Sequence, residues 1–117
     1  MRRNVFFSFA LLFLLFISSQ SLHAQTDTLY GRVTDANGSG IPSVTITIYE
    51  SGNSPYCPNS TITATTSSFG YYSAQIDYYC TALIVPSAKQ YTFTPSALFI
   101  DFQINDYSNV NFVGEHQ

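Results

Sequence analysis

The amino-acid sequence predicts an all-β fold, an antiparallel β-sandwich of seven to eight short strands that follows a helical signal peptide. The first indication is composition, because Val, Ile and Thr make up 25 of the 93 residues after position 24 and are enriched in strands. The second is that several short stretches alternate apolar and polar side chains, which is the period of a half-buried strand. The third is that no stretch keeps a helical period for ten residues after that position.

The N-terminal segment is typical of a secretory signal peptide. Two arginines form a basic start, and the apolar run Val5–Ile17 has 13 residues, whereas a membrane-spanning helix needs about 20. Leu22-His23-Ala24 fits a small-residue cleavage site. We therefore expect residues 1–24 to be removed and residues 25–117 to form one domain without a membrane span. An uncleaved N-terminal anchor is the alternative.

The first two strands enclose a turn. Thr28–Thr34 alternates weakly, and the turn that follows contains Asn37-Gly38, which adopts positive φ readily. Asp35 opens this turn, and we interpret it as a turn residue rather than as part of a calcium loop, because position twelve of an EF-hand would be Ile46. The next strand, Val44–Tyr49, alternates strictly between apolar and polar residues and should point its aliphatic side chains inward. The inward residues of that strand are Val44, Ile46 and Ile48.

The rest of the chain predicts a long loop and six further strands. Residues 51–60 contain Gly and two Pro and read as the loop. The predicted strands are Thr61–Thr66, Tyr71–Ile76, Ala82–Val85 (stopped by Pro86), Tyr91–Thr94, Leu98–Ile104 and Asn109–Val113. The residues expected to face the core on these strands include Tyr72, Ala74, Ile76, Leu98, Ile100, Phe102, Ile104, Val110 and Phe112.

The two cysteines of the sequence, Cys57 and Cys80, predict a disulfide. An even count in a secreted domain of this size is typical of a structural bond. A redox or metal pair is the alternative, but a separation of 23 residues is unlike a CxxC motif, and the only other soft ligand of the mature chain is His116.

Charge and histidine content weigh against several function classes. The whole chain has a net charge of −3, and after residue 24 only Arg32 and Lys89 are basic, too few for a nucleic-acid patch. The only histidine there, His116, lies next to the C-terminus, so a Ser-His-Asp site is not expected. The acidic residues are scattered over turns rather than paired as in a glycosidase. We therefore predict a protein that is not an enzyme and needs no cofactor or metal.

Tyrosines are the candidate binding residues. Tyr56, Tyr71, Tyr78, Tyr79 and Tyr107 fall in or near predicted loops, where exposed rings can stack on sugars or anchor a protein interface. The candidate surface is Tyr71, Tyr78 and Tyr79. Sugar binding would require these three rings to form a flat platform on one face. A protein-interaction role would instead require an open edge strand or an exposed apolar patch. Rings that merely cap the core are the structural alternative.

Three segments resemble one known family. GRVTDANGSGIPSVTITIY (31–49), TTSSFGYYSAQI (65–76) and SAKQYTFTPSALFIDFQINDYSNVNFVG (87–114) are similar, in order, to the opening, middle hairpin and end of bacterial carboxypeptidase regulatory-like domains. The resemblance implies a transthyretin-like (prealbumin-like) sandwich, related to collagen-adhesin B-type and starch-binding-like domains, a carbohydrate-binding-like fold. It also implies a non-catalytic accessory module of secreted and surface proteins. Tyr79 and Ala82 depart from the Gly and Tyr common before the family's fifth strand.

These observations together predict a secreted bacterial module, either periplasmic or at the cell surface. Its expected role is structural, adhesive or protein-interacting, and its expected partner is an envelope or extracellular protein. The alternative is a carbohydrate-binding module that holds a polysaccharide on exposed tyrosines. No nucleic-acid partner is expected, and the sequence does not predict an oligomeric state.

Overall fold

The computed structural model describes residues 26–101 and 106–117, and this part of the chain consists of strands and turns without a helix. The predicted signal peptide, residues 1–24, lies outside the described residues, as do residues 102–105. The strands are β1 (Thr26–Thr34), β2 (Thr45–Ser51), β3 (Thr61–Thr65), β4 (Tyr71–Asp77), β5 (Thr81–Ser87), β6 (Tyr91–Thr94), β7 (Leu98–Ile100) and β8 (Phe112–His116). The all-β prediction is confirmed.

The strands form two four-stranded sheets. The first sheet has the order β4-β1-β8-β6 and the second has the order β3-β2-β5-β7. All pairings are antiparallel except that of β1 with β8, which is parallel through the partners Val33 and Phe112. The expectation of a purely antiparallel sandwich is therefore wrong for this pair. Alternation along a strand shows which face is buried, but it carries no information on the partner strand or its direction.

The core lies between the sheets and is built from the alternating strands. Val44, Ile46 and Ile48 are fully buried, as the sequence predicts, while Thr45 and Tyr49 are exposed. The first sheet contributes the opposing layer of the same core. The buried apolar residues of that sheet and of its connecting segment are Leu29, Val33, Tyr72, Ile76, Val110 and Phe112.

The bounds of most strands differ from the prediction by one to three residues, and the differences at β5 and at the last strand bear on the fold. β5 continues through Pro86 to Ser87 instead of stopping at Val85. Proline is tolerated here because the pairing of β5 with β7 extends only to Ile84. Pro86 therefore has no partner residue on β7, and its missing N–H leaves no hydrogen bond to that strand unmade. The last strand begins at Phe112 rather than at Asn109. The described part of the predicted strand Leu98–Ile104 is β7, in which Ile100 is buried and Leu98 half-buried.

The segment before β8 is fixed to β1 without being a regular strand. The Val110 N–H donates to the Tyr30 carbonyl at 3.1 Å, and the buried Tyr72 hydroxyl donates to the Val110 carbonyl at 2.6 Å. Gly31 is required at this crossing, since a Cβ there would lie 1.9 Å from the Val110 carbonyl oxygen. The close approach brings the C-terminal segment onto the first sheet.

The turn after β1 confirms the interpretation of Asn37-Gly38. Gly38 has a φ of 86°, and the Asp35 carboxylate accepts hydrogen bonds from the N–H groups of Asn37 and Ser39, at 2.9 and 3.0 Å. These contacts satisfy one carboxylate oxygen within the turn itself. Asp35 is thus a turn residue in the structure.

Candidate functional site

The three predicted site tyrosines do not form one surface. Tyr71 begins β4, whereas Tyr78 and Tyr79 follow the end of that strand. Seven residues of extended chain span about 23 Å at roughly 3.3 Å per residue. The structure therefore places Tyr71 at the opposite end of the strand from the other two, and the flat platform that sugar binding would require of them is absent.

Tyr78 and Tyr79 instead join Tyr56 in what we term the terminal tyrosine cluster. The ring centroids of Tyr56 and Tyr79 are 5.2 Å apart with planes at 40°, and those of Tyr78 and Tyr79 are 5.0 Å apart with planes at 89°. Such tilted and edge-to-face contacts stabilise the cluster. The rings share no plane, so the three do not form one flat stacking face.

The Cys57–Cys80 disulfide is confirmed and explains this cluster. Both cysteines are buried, with their Cα atoms 5.3 Å apart. Because Tyr56 precedes one cysteine and Tyr79 precedes the other, the bond brings the two rings together. The sequence placed Tyr56 among the loop tyrosines but not in the candidate surface of Tyr71, Tyr78 and Tyr79. Its contact with Tyr79 could have been predicted, because Tyr56 precedes Cys57 and Tyr79 precedes the predicted partner Cys80.

At the same end of the sandwich, Glu50 joins the loop before β3 to the end of β4. Its buried carboxylate accepts hydrogen bonds from the Ser60 hydroxyl at 2.7 Å and from the Asp77 N–H at 2.6 Å. Burial raises the pKa of Glu50, and the neighbouring Asp77 carboxylate acts in the same direction. Raised carboxyl pKa values are found at active sites, but both oxygens of Glu50 are committed to structural contacts. We therefore assign it to holding the loop and the β4 end together.

The described part of the chain has no grouped metal ligands, and its histidine packs against a tyrosine. Within residues 26–101 and 106–117, no three His, Cys, Asp or Glu side chains are grouped so that they could hold a metal ion. The His116 ring packs edge-on against Tyr91, with the centroids 5.0 Å apart. No helix in the described part of the chain is long and apolar enough to cross a membrane.

An exposed apolar row crosses the outer face of the second sheet. Tyr49 on β2 lies directly opposite Leu83 on β5, which in turn lies opposite Phe99 on β7. The three side chains are 48%, 39% and 63% exposed. Directly opposed residues on one face have Cβ atoms about 5 Å apart, so the three form a continuous strip, which we call the apolar row. The half-buried pair Thr47–Val85 extends it along the strands.

The outer face of the first sheet is more polar. Gln75 on β4 donates to the Thr28 hydroxyl at 2.8 Å and accepts from the Thr26 hydroxyl at 3.1 Å. Arg32 lies 4.8 Å from the centre of the Tyr71 ring, and its Nε donates to the Phe69 carbonyl at 3.0 Å. Exposed apolar side chains are present on both outer faces, but Tyr30, Tyr71 and Val113 of the first sheet lie among polar and charged groups. Tyr49, Leu83 and Phe99 are instead directly opposed in one row, which makes the apolar row a distinctive feature.

Comparison with known proteins finds no protein-family model and no curated protein that matches the chain. The resemblance to carboxypeptidase regulatory-like domains accordingly rests on the motifs in residues 31–49, 65–76 and 87–114 and stays a prediction.

Proposed function

We propose that this protein is a secreted, non-catalytic β-sandwich module that binds another protein at the cell envelope, where it has a structural or adhesive role. The apolar row carries the proposal. Monomeric soluble proteins rarely leave large apolar side chains exposed in a continuous strip, and such strips mark interaction sites. The partner is a protein that presents an apolar surface of its own to Tyr49, Leu83 and Phe99.

Secretion is supported by the disulfide and by the N-terminal sequence. Disulfides form and persist in oxidising compartments such as the periplasm and the extracellular space. The basic start and the 13-residue apolar run of residues 5–17 add the expected export signal. Both a periplasmic and a cell-surface location fit this combination.

The family resemblance supports an accessory role rather than an enzymatic one. The two packed four-stranded sheets are compatible with the transthyretin-like sandwich that the resemblance implies. The assignment of this strand order to the transthyretin-like topology is part of the proposal. The polysaccharide alternative gains no support from Tyr71, Tyr78 and Tyr79 together, since these three do not share a face.

Site-specific photo-crosslinking in the producing cells tests the proposal. A photoreactive amino acid is placed at Leu83, in the apolar row, and as a matched control at Thr92, an exposed position of β6 on the other sheet. We expect an adduct with a distinct envelope protein from position 83 and none from position 92. Adding Phe99→Ser should reduce the adduct about fivefold or more, because Phe99 is the most exposed side chain of the apolar row and a few large side chains dominate such interfaces.

Two outcomes would count against this function. Identical adducts from both positions would show that the row has no selectivity. An adduct that contains only a second copy of the chain, supported by a doubled mass in light scattering, would replace the envelope partner by self-association.

A further inference from the structure

A second surface, separate from the apolar row, lies between the two sheets at their open edges. β3 and β4 are the outermost strands of their sheets on the same side of the sandwich. Between them runs an open groove of about 540 Å³, lined by Tyr30, Thr63, Thr65, Tyr71, Tyr72 and Ser73 together with neighbouring backbone. This volume is within the range of about 300–1,000 Å³ that small-molecule sites occupy.

The chemistry of the groove is aromatic and hydroxyl-rich. Tyr30 and Tyr71 are 47% and 56% exposed, and neither ring belongs to the core. The side-chain hydroxyls of Thr63, Thr65 and Ser73 make no hydrogen bond within the described part of the chain, nor do those of the two exposed tyrosines. None of the residues that line the groove is charged.

The walls are held in place before any ligand arrives. The Arg32 guanidinium rests against the Tyr71 ring and is fixed through its bond to the Phe69 carbonyl. The Tyr71 N–H donates to the Ser67 hydroxyl at 3.2 Å. Tyr72, at the base, is buried and anchored through its hydroxyl to Val110. A prearranged site loses less conformational entropy on binding.

We infer that this groove binds a neutral oligosaccharide. Sugars present apolar ring faces that pack on aromatic side chains, and their hydroxyls both donate and accept, as the uncommitted hydroxyls of Thr63, Thr65 and Ser73 do. The lining residues carry no charge for an ionic ligand, and the Arg32 guanidinium beside Tyr71 is already engaged by that ring and by the Phe69 carbonyl. The apolar row shares no residue with the groove, so this inference does not depend on the proposed protein partner.

Binding is measured by isothermal titration calorimetry with the secreted, oxidised protein. The probes are neutral hexasaccharides of glucose, xylose, mannose and N-acetylglucosamine, chosen after a broader glycan array. We expect saturable binding to at least one of them. Tyr71→Ala should weaken it about tenfold or more, whereas Tyr71→Phe, which retains the ring, should stay within about threefold.

Three further variants separate the groove from the rest of the surface. Thr63→Val removes one hydroxyl at an exposed strand position without disturbing the fold, and should weaken binding about threefold or more. Tyr79→Ala in the terminal tyrosine cluster and Leu83→Ser in the apolar row should leave the affinity unchanged. Near-UV circular dichroism checks that each variant is folded.

Several results would overturn the inference. One is the absence of saturable binding to any array glycan or hexasaccharide by folded wild-type protein. Another is an equal loss of affinity in Tyr79→Ala and Tyr71→Ala. The third is selection of extended peptides from a random dodecapeptide library that bind this groove while no sugar does, since the free edges of β3 and β4 would then serve for strand addition.

Discussion

Removal of the Cys57–Cys80 disulfide should lower the free energy of unfolding by about 3 kcal/mol. The bond joins residues separated by 23 positions, and closing a loop of that size corresponds to roughly 3.4 kcal/mol of unfolded-state entropy at 25 °C. Both cysteines are buried, so alanine at both positions removes the bond while keeping the sites apolar. For a domain of this size the loss corresponds to a decrease in Tm of roughly 12–24 °C.

Urea unfolding of the double variant Cys57→Ala/Cys80→Ala, followed by tyrosine fluorescence, measures this loss. Wild-type protein treated with a reductant should behave like the variant. The m-value should rise in both cases, because the unlinked unfolded chain exposes more surface. Asn53→Ala, an exposed change in the same loop, is the control and should stay within about 0.5 kcal/mol. A loss below about 1 kcal/mol in the double variant would refute the loop-entropy reasoning.

Three other changes probe the core, a buried hydrogen bond and a buried carboxyl group. Ile48→Ala should cost about 2–5 kcal/mol in urea unfolding, because Ile48 is fully buried, whereas the exposed Thr45→Ala should change little. Tyr72→Phe should cost about 1–3 kcal/mol by the same assay, because it removes the buried donor to the Val110 carbonyl. Because the pKa of Glu50 is raised above its ordinary value of 4.5, the folded state holds that proton more tightly than the unfolded state does. Its stabilising contribution is therefore present below that value and is lost as the pH rises through the raised pKa, so the stability of the wild type relative to Glu50→Gln should fall as the pH rises above about 4.5. A pH-independent difference would contradict this account.

Local patterns predicted the strands well because they reflect local chemistry. The strict alternation of Val44–Tyr49 placed three residues in the core, and all three are fully buried. Tyr91–Thr94 has the same bounds in the sequence prediction and in the structure. The boundary at Pro86 was wrong because a proline interrupts a strand only where its missing N–H faces a paired neighbour. Whether it does depends on the length of β7, which is a tertiary property.

In the candidate site, too, some features were predictable from the sequence and others depend on the tertiary structure. The disulfide was predictable from two cysteines and a predicted export signal, and the bond then implied the contact of Tyr56 with Tyr79. The separation of Tyr71 from that pair follows from the length of β4. The apolar row could not be found in the sequence, because Tyr49, Leu83 and Phe99 belong to three strands that are far apart in the chain and meet only through their register.

The sequence by itself determined the all-β class, the buried face of each alternating strand, the Asn37-Gly38 turn and the pairing of the two cysteines. Each of these depends on side-chain period, backbone preference or redox chemistry, which act over a few residues or between unique partners. Only the tertiary structure decided that β8 runs parallel to β1, that three exposed apolar residues align across the second sheet, and that two sheet edges enclose a tyrosine-lined groove. These features depend on long-range register, and many pairings of similar strands satisfy the same local alternation until packing selects one.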